Sequence, residues 1–453
     1  MASAKTQPKV AVKPRLKRDT STRLDIIIVG AGLGGVGAAI SLLLAGHNVK
    51  IFEAANEIGE VGAGIQILPN ASKVLQSWGM KEKLEPYATK PARVNMLGWK
   101  GNLISYLDFN ESASKYPGTF YWDFHRANLH KALLERATEL GAEIKTRARV
   151  VNVQIAGDEA NSATVVLENG DRYVTDLVIG ADGINSRLRE ILMGRPDPPT
   201  PTGDLAYRLL LSTGEMLKDP ELAPFVTDPQ VNYWLGPDAH AVNYVLKGGE
   251  LFNMVLLVPD DMPVDSANTL QGNVEEMRSL YQDWDPRIPK LLSLCESVYK
   301  WRLQIRVGMD SWSHPSGAFT MLGDAVHATL PYLASGAGMC LEDAAVLGEL
   351  FTRAPNPKDS HVKRHLVKIY ETCRKERTEM VVKRGNRQQY LYHLHDGAEQ
   401  EERDRKLVNA EEGEALAWRD SSLAPQLLGY DVDKDIDQYW PESIPSMKET
   451  ARI

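Results

Sequence analysis

The chain has 453 residues, of which 43% are hydrophobic and 25% charged, and its formal net charge is −8. This length allows two or three domains with sizeable cores. The acidic balance argues against nucleic acid as the main partner, because phosphate contacts require a basic face. Its cysteines, Cys295, Cys340 and Cys373, form neither a CxxC pair nor a zinc-like spacing. The sequence therefore predicts no metal site and a reducing compartment.

The first 23 residues hold seven Lys or Arg and one acid. We interpret residues 1–23 as a solvated, disordered basic arm, with a mitochondrial presequence as the alternative. They contain no apolar core of a secretory signal. The most apolar stretch, residues 24–46, carries six glycines and a central turn signal, which favours a strand–turn–helix over a membrane span. We therefore expect no membrane partner and a cytoplasmic protein.

The stretch LDIIIVGAGLGGVGAAISLLLAGHNVKIFEA starts at residue 24 and predicts a strand, a helix and a second strand. Gly30, Gly32 and Gly35 form a GxGxxG motif, in which the first glycine permits the turn, the second lets a pyrophosphate approach and the third lets helix and strand pack closely. The helix N-terminus favours phosphate. Glu53 ends the second strand and is placed to accept hydrogen bonds from ribose hydroxyls. This order of elements predicts a dinucleotide site.

Two later segments indicate which dinucleotide binds. VTDLVIGADGINSRLRE places Asp182 at the end of another buried strand, and GDAVHATLPYLASGAGMCLEDA places Asp324 after the strand AFTML. Pro331 then bends the chain, and the unhindered backbone of Gly336, Ala337 and Gly338 precedes a helix whose N–H groups favour an electron-rich or anionic ring edge. A flavin offers both ribityl hydroxyls and such an edge. We therefore predict FAD as the cofactor.

The motifs GAGLGG, GADGINSRLR and GDAVHATLPYLASGAGMCLEDA, in this order, resemble those of the single-component FAD-dependent aromatic hydroxylases. The nearest branch is the fungal salicylate-hydroxylase-like proteins, and the resemblance spans roughly residues 24–440, including EVGAGIQILPNASKVL at 60–75 and FHRANLHKALL at 124–134. It implies that Arg126 binds the FAD pyrophosphate region and that Gly64 lines the isoalloxazine. It also places Asp182 near the contacts to FAD and NAD(P)H. Many relatives have Gln where this chain has Ala337.

We expect an α/β fold with a Rossmann-type FAD-binding domain, an inserted mainly β-sheet substrate domain and a helical C-terminal region. The charged segment 361–408 is interpreted as a solvated helical layer. The predicted divisions are the arm at 1–23, the FAD-binding domain at 24–90, 126–199 and 306–360, strands on the substrate side at 91–125, the substrate sheet at 200–305, and the C-terminal helices and tail at 361–453.

The resemblance implies a monooxygenase that uses NAD(P)H and molecular oxygen to hydroxylate a small electron-rich aromatic through a flavin hydroperoxide, with or without decarboxylation or dearomatisation. The difficult chemistry belongs to the cofactor, and the protein has to favour the phenolate and orient the ring. Arg208 and Tyr244 lie on predicted strands of the substrate sheet and are our candidates for this task. His327 is a candidate proton relay or a structural histidine, and Tyr233, Trp234 and Tyr332 are unranked candidates for the pocket wall.

Three alternatives stay open at this point: a flavin-dependent dehydrogenase or oxidase on the same scaffold, an indole-type epoxidising monooxygenase, and a non-catalytic flavin-binding protein. A single GxGxxG provides no second nicotinamide domain, so NAD(P)H would dock transiently. The substrate, NADH versus NADPH, and a homodimer are likewise open.

Overall fold

The computed structural model describes residues 9–59, 63–442 and 444. Its strands are β1 Asp25–Val29, β2 Asn48–Phe52, β3 Gly64–Ile67, β4 Arg93–Gly98, β5 Leu103–Asp108, β6 Trp122–His125, β7 Glu143–Lys145, β8 Val150–Gln154, β9 Ala163–Leu167, β10 Arg172–Thr175, β11 Leu177–Gly180, β12 Thr200–Ser212, β13 Val231–Gly236, β14 Ala239–Leu246, β15 Leu251–Pro259, β16 Thr269–Gly272, β17 Val298–Ile305 and β18 Phe319–Met321.

The α-helices are α1 Leu33–Leu44, α2 Pro69–Ser77, α3 Lys81–Leu84, α4 Phe109–Ser114, α5 Arg126–Glu139, α6 Arg187–Met193, α7 Ala223–Thr227, α8 Val274–Leu280, α9 Arg287–Ser293, α10 Asp324–His327, α11 Gly336–Arg353, α12 Ser360–Tyr392, α13 Ala398–Asn409, α14 Ala424–Leu428 and α15 Val432–Tyr439. Short 3₁₀ turns lie at Glu85–Tyr87, Met216–Lys218, Lys247–Gly249 and Pro331–Leu333. None of the helices in the described ranges is long and apolar enough to cross a membrane.

A five-stranded parallel sheet forms the first layer, in the order β18-β11-β1-β2-β7. Its central strand β1 pairs with β2 on one side and β11 on the other. Ile26, Ile27 and Ile28 of β1 are all buried, as expected for a β-branched run covered on both faces. Helices α1 and α11 pack against each other beside this sheet. The carboxyl ends of β1, β11 and β18 therefore meet at one edge, where open parallel sheets bind their ligands.

An eight-stranded sheet forms the second layer, in the order β16-β17-β12-β15-β14-β13-β4-β5. Neighbouring strands are antiparallel except β13 and β4, which are parallel. Successive side chains point to opposite faces, so that Tyr233 joins the core facing the parallel sheet, whereas Trp234 joins the core behind, where its indole donates to Asp285. The predicted class, a Rossmann-type α/β domain with a mainly β-sheet insertion and C-terminal helices, is confirmed.

The C-terminal helix α12 is not the solvated layer that its charges suggested. Arg374 and Lys363 are fully buried, and Glu371 is nearly so. The reason is pairing: Arg374 donates to Glu342 and Asp343 of α11, at 2.7 Å each. Buried charges persist where partners satisfy them, so part of the charge of α12 lies inside the protein, while other charges such as Lys368 and Lys383 are exposed.

The prediction of a disordered arm at 1–23 is wrong for residues 9–23. Arg18 is only 6% exposed, and its guanidinium donates to the carbonyl oxygens of Ala45 at 2.8 Å and of Ala354 at 2.9 Å, and to that of Phe351. These carbonyls belong to the C-terminal ends of α1 and α11, which lack intrahelical partners and attract cations. Backbone hydrogen bonds from Lys13 to Ser77 and from Leu16 to Leu44 hold the same segment, so it is anchored, with Arg18 as its buried side chain. The rest of the predicted arm, residues 1–8, lies outside the described residues.

Candidate active site

A cavity of about 360 Å³ lies between the parallel sheet's ligand edge and the eight-stranded sheet. It brings together most of the residues that the sequence singled out. The predicted residues that line it are Gly32, Gly64, Arg126, Arg208, Tyr244, Asp324, Pro331, Gly336 and Ala337. The predicted residues outside its wall are Gly30, Gly35, Glu53, Asp182, His327 and Gly338.

The glycine-rich loop after β1 has the shape that a pyrophosphate requires. A side chain at Gly30, where φ is +106°, would lie 2.3 Å from the carbonyl oxygen of Ala181, and one at Gly35 would lie 2.1 Å from that of Gly30. By contrast, the space in front of Gly32 is open to 4 Å. Helix α1 starts beside it with no side-chain cap and no acid in its first turn. Its N–H groups are therefore available for an anion, and the loop fits a dinucleotide.

Glu53 and Asp182, the two acids predicted to bind the cofactor near this loop, have hydrogen-bond partners within the protein. Glu53 ends β2, but its carboxylate accepts from the backbone N–H groups of Ala31 and Ala55, at 2.8 Å each. It therefore braces the glycine loop, and contact with a ribose stays a prediction. Asp182 accepts from the Ser186 hydroxyl at 2.6 Å and the Leu188 N–H at 3.0 Å.

The carboxylate of Asp182 is thus occupied at the start of α6, outside the cavity wall. Burial raises its pKa, although these hydrogen bonds act in the opposite direction. The structure does not support a direct cofactor contact through this side chain. Its neighbour Gly183 does line the cavity, with φ at +76°, so the backbone of this turn is the part that faces the ligand.

The loop after β18 turns a carboxylate into the cavity. Asp324 is exposed and starts α10, and its nearest described partner is the thiol of Cys340, whose Sγ lies 3.9 Å from Oδ1. A carboxylate with so few hydrogen-bond donors around it can accept hydrogen bonds from the hydroxyl groups of a ligand. Pro331 opens a 3₁₀ turn further along, and Gly336 starts α11 with no side-chain cap and no acid in its first turn. The start of α11 therefore presents N–H donors to the cavity that the start of α1 also lines.

Gly338 lies two residues further along α11 and faces α2, because a side chain there would lie 3.4 Å from the amide nitrogen of Asn70. Of the predicted trio, Gly336 and Ala337 alone line the cavity. The role of Gly338 is close helix packing.

His327 is a structural histidine, and its prediction as a catalytic residue is not supported. It is buried behind the loop, and its Nε2 lies 2.6 Å from Oδ2 of Asp343. The same carboxylate accepts from the N–H of Gly323 at 2.9 Å and from Arg374 at 2.7 Å. Burial acts to raise the pKa of Asp343, but His327 and Arg374 outweigh it and the pKa is lowered. This charged cluster fixes the loop that carries Asp324.

Strand β3 closes the cavity against the eight-stranded sheet. The N–H of Gly64 donates to Oδ1 of Asn253 at 2.8 Å, and a side chain at this position would lie 2.6 Å from the Tyr244 hydroxyl. Only glycine permits this approach. Arg126 starts α5 immediately beside it, with its N–H donating to the carbonyl of Ala63 at 2.9 Å. Residues 60–62 of the predicted flavin-lining segment lie outside the described residues.

Arg208 is the most unusual residue of the cavity. Its Nε is buried and has no hydrogen-bond partner among the described residues. The guanidinium carbon lies 5.0 Å from the centre of the Trp301 ring, an arrangement that stabilises a cation weakly. Burial and the nearby charge of Arg126 lower the pKa of Arg208. A buried cationic N–H without a partner in the described part of the chain is costly, and an anionic ligand in the cavity would reduce that cost.

Aromatic side chains form the wall around Arg208. Tyr244 is buried, and burial together with the charge of Asp123 raises its pKa, so the hydroxyl keeps its proton and can donate. Tyr233, Tyr332 and His240 also line the cavity. Sequence reasoning missed His240, although it lies on β14 at the spacing that puts it on the same face as Tyr244.

Known proteins similar in sequence to this chain are FAD-dependent monooxygenases and hydroxylases. A family model described as an FAD binding domain matches residues 23–386. The FAD-dependent monooxygenase OpS4 of Beauveria bassiana (strain ARSEF 2860) is 39% identical over 423 residues, which are 90% of this chain and 95% of that protein. The 3-hydroxybenzoate 6-hydroxylase of Polaromonas naphthalenivorans (strain CJ2) is 32% identical over 379 residues, 83% of this chain and 90% of that protein.

Solved structures share the fold. A salicylate hydroxylase in a substrate complex superposes with a TM-score of 0.75 at 23% identity, covering 92% of this chain and 98% of that one. CtdE in complex with FAD and its substrate superposes with a TM-score of 0.77 at 21% identity, covering 92% and 97%. Both agree with the two-layer architecture around the cavity.

Proposed function

Since the chain belongs to the FAD-binding-domain family of FAD-dependent aromatic monooxygenases, we propose that it uses NAD(P)H and molecular oxygen to hydroxylate a small phenolic aromatic. The relatives include enzymes named for 3-hydroxybenzoate and for 3-amino-4-hydroxybenzoate. We extend that class to this chain: its substrate is a phenolic acid or a phenolic metabolite. The proposal includes reactions in which the substrate loses a carboxylate from its ring as the ring is hydroxylated.

The observation that carries the proposal is the guanidinium of Arg208 in an aromatic cavity, where its Nε is buried with no partner among the described residues. A carboxylate or phenolate of the substrate would pair with it, and Tyr244 would donate a second hydrogen bond. A buried cation stabilises the ionised form of a phenol, and an ionised ring is the more reactive one. Two fixed donors also hold the ring in one orientation, which lowers the barrier of the following step.

The cofactor is assigned to the groups already described. The open backbone at Gly32 and the start of α1 would take the pyrophosphate, Asp324 would take a ribityl hydroxyl, and the N–H groups at Gly336 and Ala337 would face the pyrimidine end. When bound, FAD supplies the redox chemistry that activates oxygen. The protein's own contribution is to bind, to orient and to keep water from the reacting ring.

The test is a screen of the purified, FAD-loaded protein against phenolic acids, phenols and indoles. We expect NAD(P)H oxidation and oxygen uptake to rise with a phenolic acid and to match the amount of hydroxylated product. Oxygen uptake without nicotinamide would indicate an oxidase instead. NAD(P)H oxidation that is best supported by indoles and yields an epoxide-derived product would replace the phenolic assignment.

We also propose a cytoplasmic location. The three cysteines are buried and unpaired, which supports a reducing compartment. Fusing residues 1–30 to a fluorescent reporter tests the alternative, because a mitochondrial signal would direct the reporter to that organelle.

A further inference from the structure

A buried glutamine and a buried acid lie opposite each other on the short two-stranded sheet that closes the cavity. Gln66 of β3 is the register partner of Asp123 of β6. Nε2 of Gln66 donates a hydrogen bond to Oδ1 of Asp123 at 3.0 Å. The two residues are 8% and 1% exposed, and Gln66 lines the cavity whereas Asp123 does not. The acid therefore supports the glutamine from outside the cavity wall.

Gln66 lies on the face of β3 that approaches the eight-stranded sheet. Side chains two residues apart in a strand point to the same side, and a side chain at Gly64 would lie 2.6 Å from the Tyr244 hydroxyl. Gln66 is therefore directed toward the part of the cavity that holds Tyr244 and Arg208. Burial raises the pKa of Tyr244 and the nearby Asp123 adds to this effect, which agrees with the placement.

The hydrogen bond to Asp123 determines which end of the Gln66 amide a ligand can meet. Nε2 is engaged, so Oε1 is the end left for the cavity, and it has no partner among the described residues. An amide oxygen is a hydrogen-bond acceptor. The backbone of Asp123 is itself fixed, because its N–H and its carbonyl exchange hydrogen bonds with Thr89, at 2.9 Å each. The cavity wall therefore holds an oriented acceptor.

This acceptor complements the donors on the same wall. The guanidinium of Arg208 can only donate, and Tyr244 keeps its proton because burial raises its pKa. These two groups suit an anionic oxygen of a ligand. The oxygen of Gln66 suits the opposite partner, an O–H or N–H group at another position of the ligand.

We propose that Gln66 is a specificity-determining residue, whose amide oxygen accepts a hydrogen bond from a second substituent of the substrate ring, an amino or hydroxyl group, and that Asp123 is its positioning residue. The inference rests on the proposed function, since it takes the ligand to be a phenolic aromatic whose anionic group pairs with Arg208. A donor substituent satisfies the buried carbonyl of Gln66, whereas a methyl group of similar size leaves it unsatisfied, which is costly. The substrate class is thereby narrowed to phenolic compounds with a second donor on the ring.

Asp123 can position the amide without repelling an anionic substrate. Burial raises its pKa to about 8, and the hydrogen bond from Gln66 acts in the opposite direction without cancelling this effect. The carboxyl group is therefore mostly neutral near pH 7. A neutral carboxyl group still has an oxygen that accepts from Nε2, so the pair orients an acceptor and adds little negative charge beside the anionic group of the ligand.

The experiment compares ligands that differ in one donor group. FAD-loaded protein, without NAD(P)H and at about pH 7.5, is titrated with 3-amino-4-hydroxybenzoate and with 4-hydroxy-3-methylbenzoate, and binding is followed by the flavin absorbance. A second pair, 4-amino-3-hydroxybenzoate and 3-hydroxy-4-methylbenzoate, moves the donor to the next ring position. Amino and methyl groups are similar in size, and an aromatic amine is neutral at this pH, so the ratio of the two dissociation constants measures hydrogen bonding. In at least one pair the wild type should bind the amino compound about tenfold more tightly.

Three variants test the two residues separately. Gln66→Met keeps the size of the side chain and removes the acceptor, so the ratio should fall to about one with unchanged FAD content. Asp123→Leu removes the partner that orients the amide, and the ratio should fall at least about threefold. Asp123→Asn should keep the wild-type ratio, because its Oδ1 can still accept from Nε2.

The matched control is Gln76→Met. Gln76 is a buried glutamine of α2 whose Nε2 donates to the carbonyls of Ser72 and Gly118, at 3.2 and 2.8 Å, and it does not line the cavity. Its replacement removes a buried amide of the same kind at a distance from the ligand. The ratio of dissociation constants should therefore stay at the wild-type value.

Several results would overturn the inference. They are equal binding of the amino and methyl compounds by the wild type in both pairs, a wild-type ratio in Gln66→Met, and a wild-type ratio in Asp123→Leu. If Asp123→Leu does not retain FAD, Asp123→Asn decides the positioning role, and a ratio of about one in that variant contradicts it. The proposed function fails separately, when the preference depends on Gln66 but no bound phenol is hydroxylated. If none of the four compounds binds the wild type, both the role of Gln66 and the phenolic assignment are wrong.

Discussion

Replacing Arg208 with Met should weaken ligand binding and stabilise the protein at the same time. Arg208 is partly buried at the cavity wall, its buried Nε has no partner among the described residues, and desolvation lowers its pKa. Removing an unpaired buried charge relieves a desolvation cost, and apolar replacements of buried ionic groups commonly stabilise by about 1–4 kcal/mol. We therefore expect a higher unfolding midpoint for Arg208→Met in the absence of ligand.

The effect on the ligand has the opposite sign. A hydrogen bond to a charged group contributes about 1.5–3 kcal/mol, and each 1.4 kcal/mol is tenfold in affinity. The dissociation constant of a phenolic acid should rise about 10- to 150-fold, measured by the change it causes in the flavin absorbance. Hydroxylation should fall by about 10²-fold, the scale for one lost charge-stabilising donor. FAD content should stay at the wild-type level.

Arg302 provides the matched control, because it is a buried cation on the adjacent strand β17 that has partners. It donates to Asp260 and to the carbonyl of Met262, at 2.6 Å each. Arg302→Met leaves those groups unsatisfied, so it should lower the unfolding midpoint and leave phenolic-acid affinity unchanged. If Arg208→Met instead destabilises the protein and binds the acid with wild-type affinity, Arg208 is a structural residue and the reasoning is refuted.

Four further changes test other parts of the structure. Gly64→Ala should reduce product formed per NAD(P)H, because the new methyl group would lie 2.6 Å from a tyrosine hydroxyl of β14; unchanged coupling would contradict the close approach. Asp324→Asn should weaken FAD binding about tenfold or more in a flavin titration, since a charge-assisted acceptor is lost; equal affinity would make the acid structural. Arg18→Ala should lower the free energy of unfolding by about 2–4 kcal/mol, whereas Lys17→Ala, an exposed neighbour, should change it little. Asp123 has a pKa raised to about 8 by burial, so the folded protein keeps a proton that the unfolded chain loses above about pH 4. The free energy of unfolding should therefore fall as pH rises from about 4 to about 8, and Asp123→Asn should stabilise the protein near pH 7.5 but not near pH 4.5.

Local patterns predicted the parts of the site that local sterics determine. A side chain at Gly30 or Gly35 would collide with backbone of the same strand–turn–helix or of the next strand. A six-residue motif is therefore enough to predict that both positions need glycine. Arg208 and Tyr244 could be named because strand periodicity and a family resemblance both place them on one sheet. The partner of Asp182 is only four residues away, yet the sequence did not show whether its carboxylate faces a ligand or its own helix.

The rest depended on contacts between distant segments. His393 contacts His240 of the cavity wall only because α12 ends beside β14, and its sequence neighbours are no different from those of an exposed histidine. Arg18 illustrates the same limit for charge: seven basic residues in the first 23 predict solvation on average, while one of them is buried because two helices happen to end beside it. Composition describes the segment as a whole, but it does not identify which of its basic residues is buried.

The order of strands in the parallel sheet has a consequence for biosynthesis. Strand β1 at Asp25–Val29 emerges from the ribosome early, but its sheet is completed at one edge by β18 at Phe319–Met321. All strands of the eight-stranded sheet are translated between them, and pairings over such separations form slowly. The glycine loop, Asp324 and the start of α11 come together only after about residue 340 has been translated. FAD can therefore bind its complete site only late in translation. A chain terminated before β18 would leave the edge of β11 unpaired, and unpaired strand edges promote aggregation.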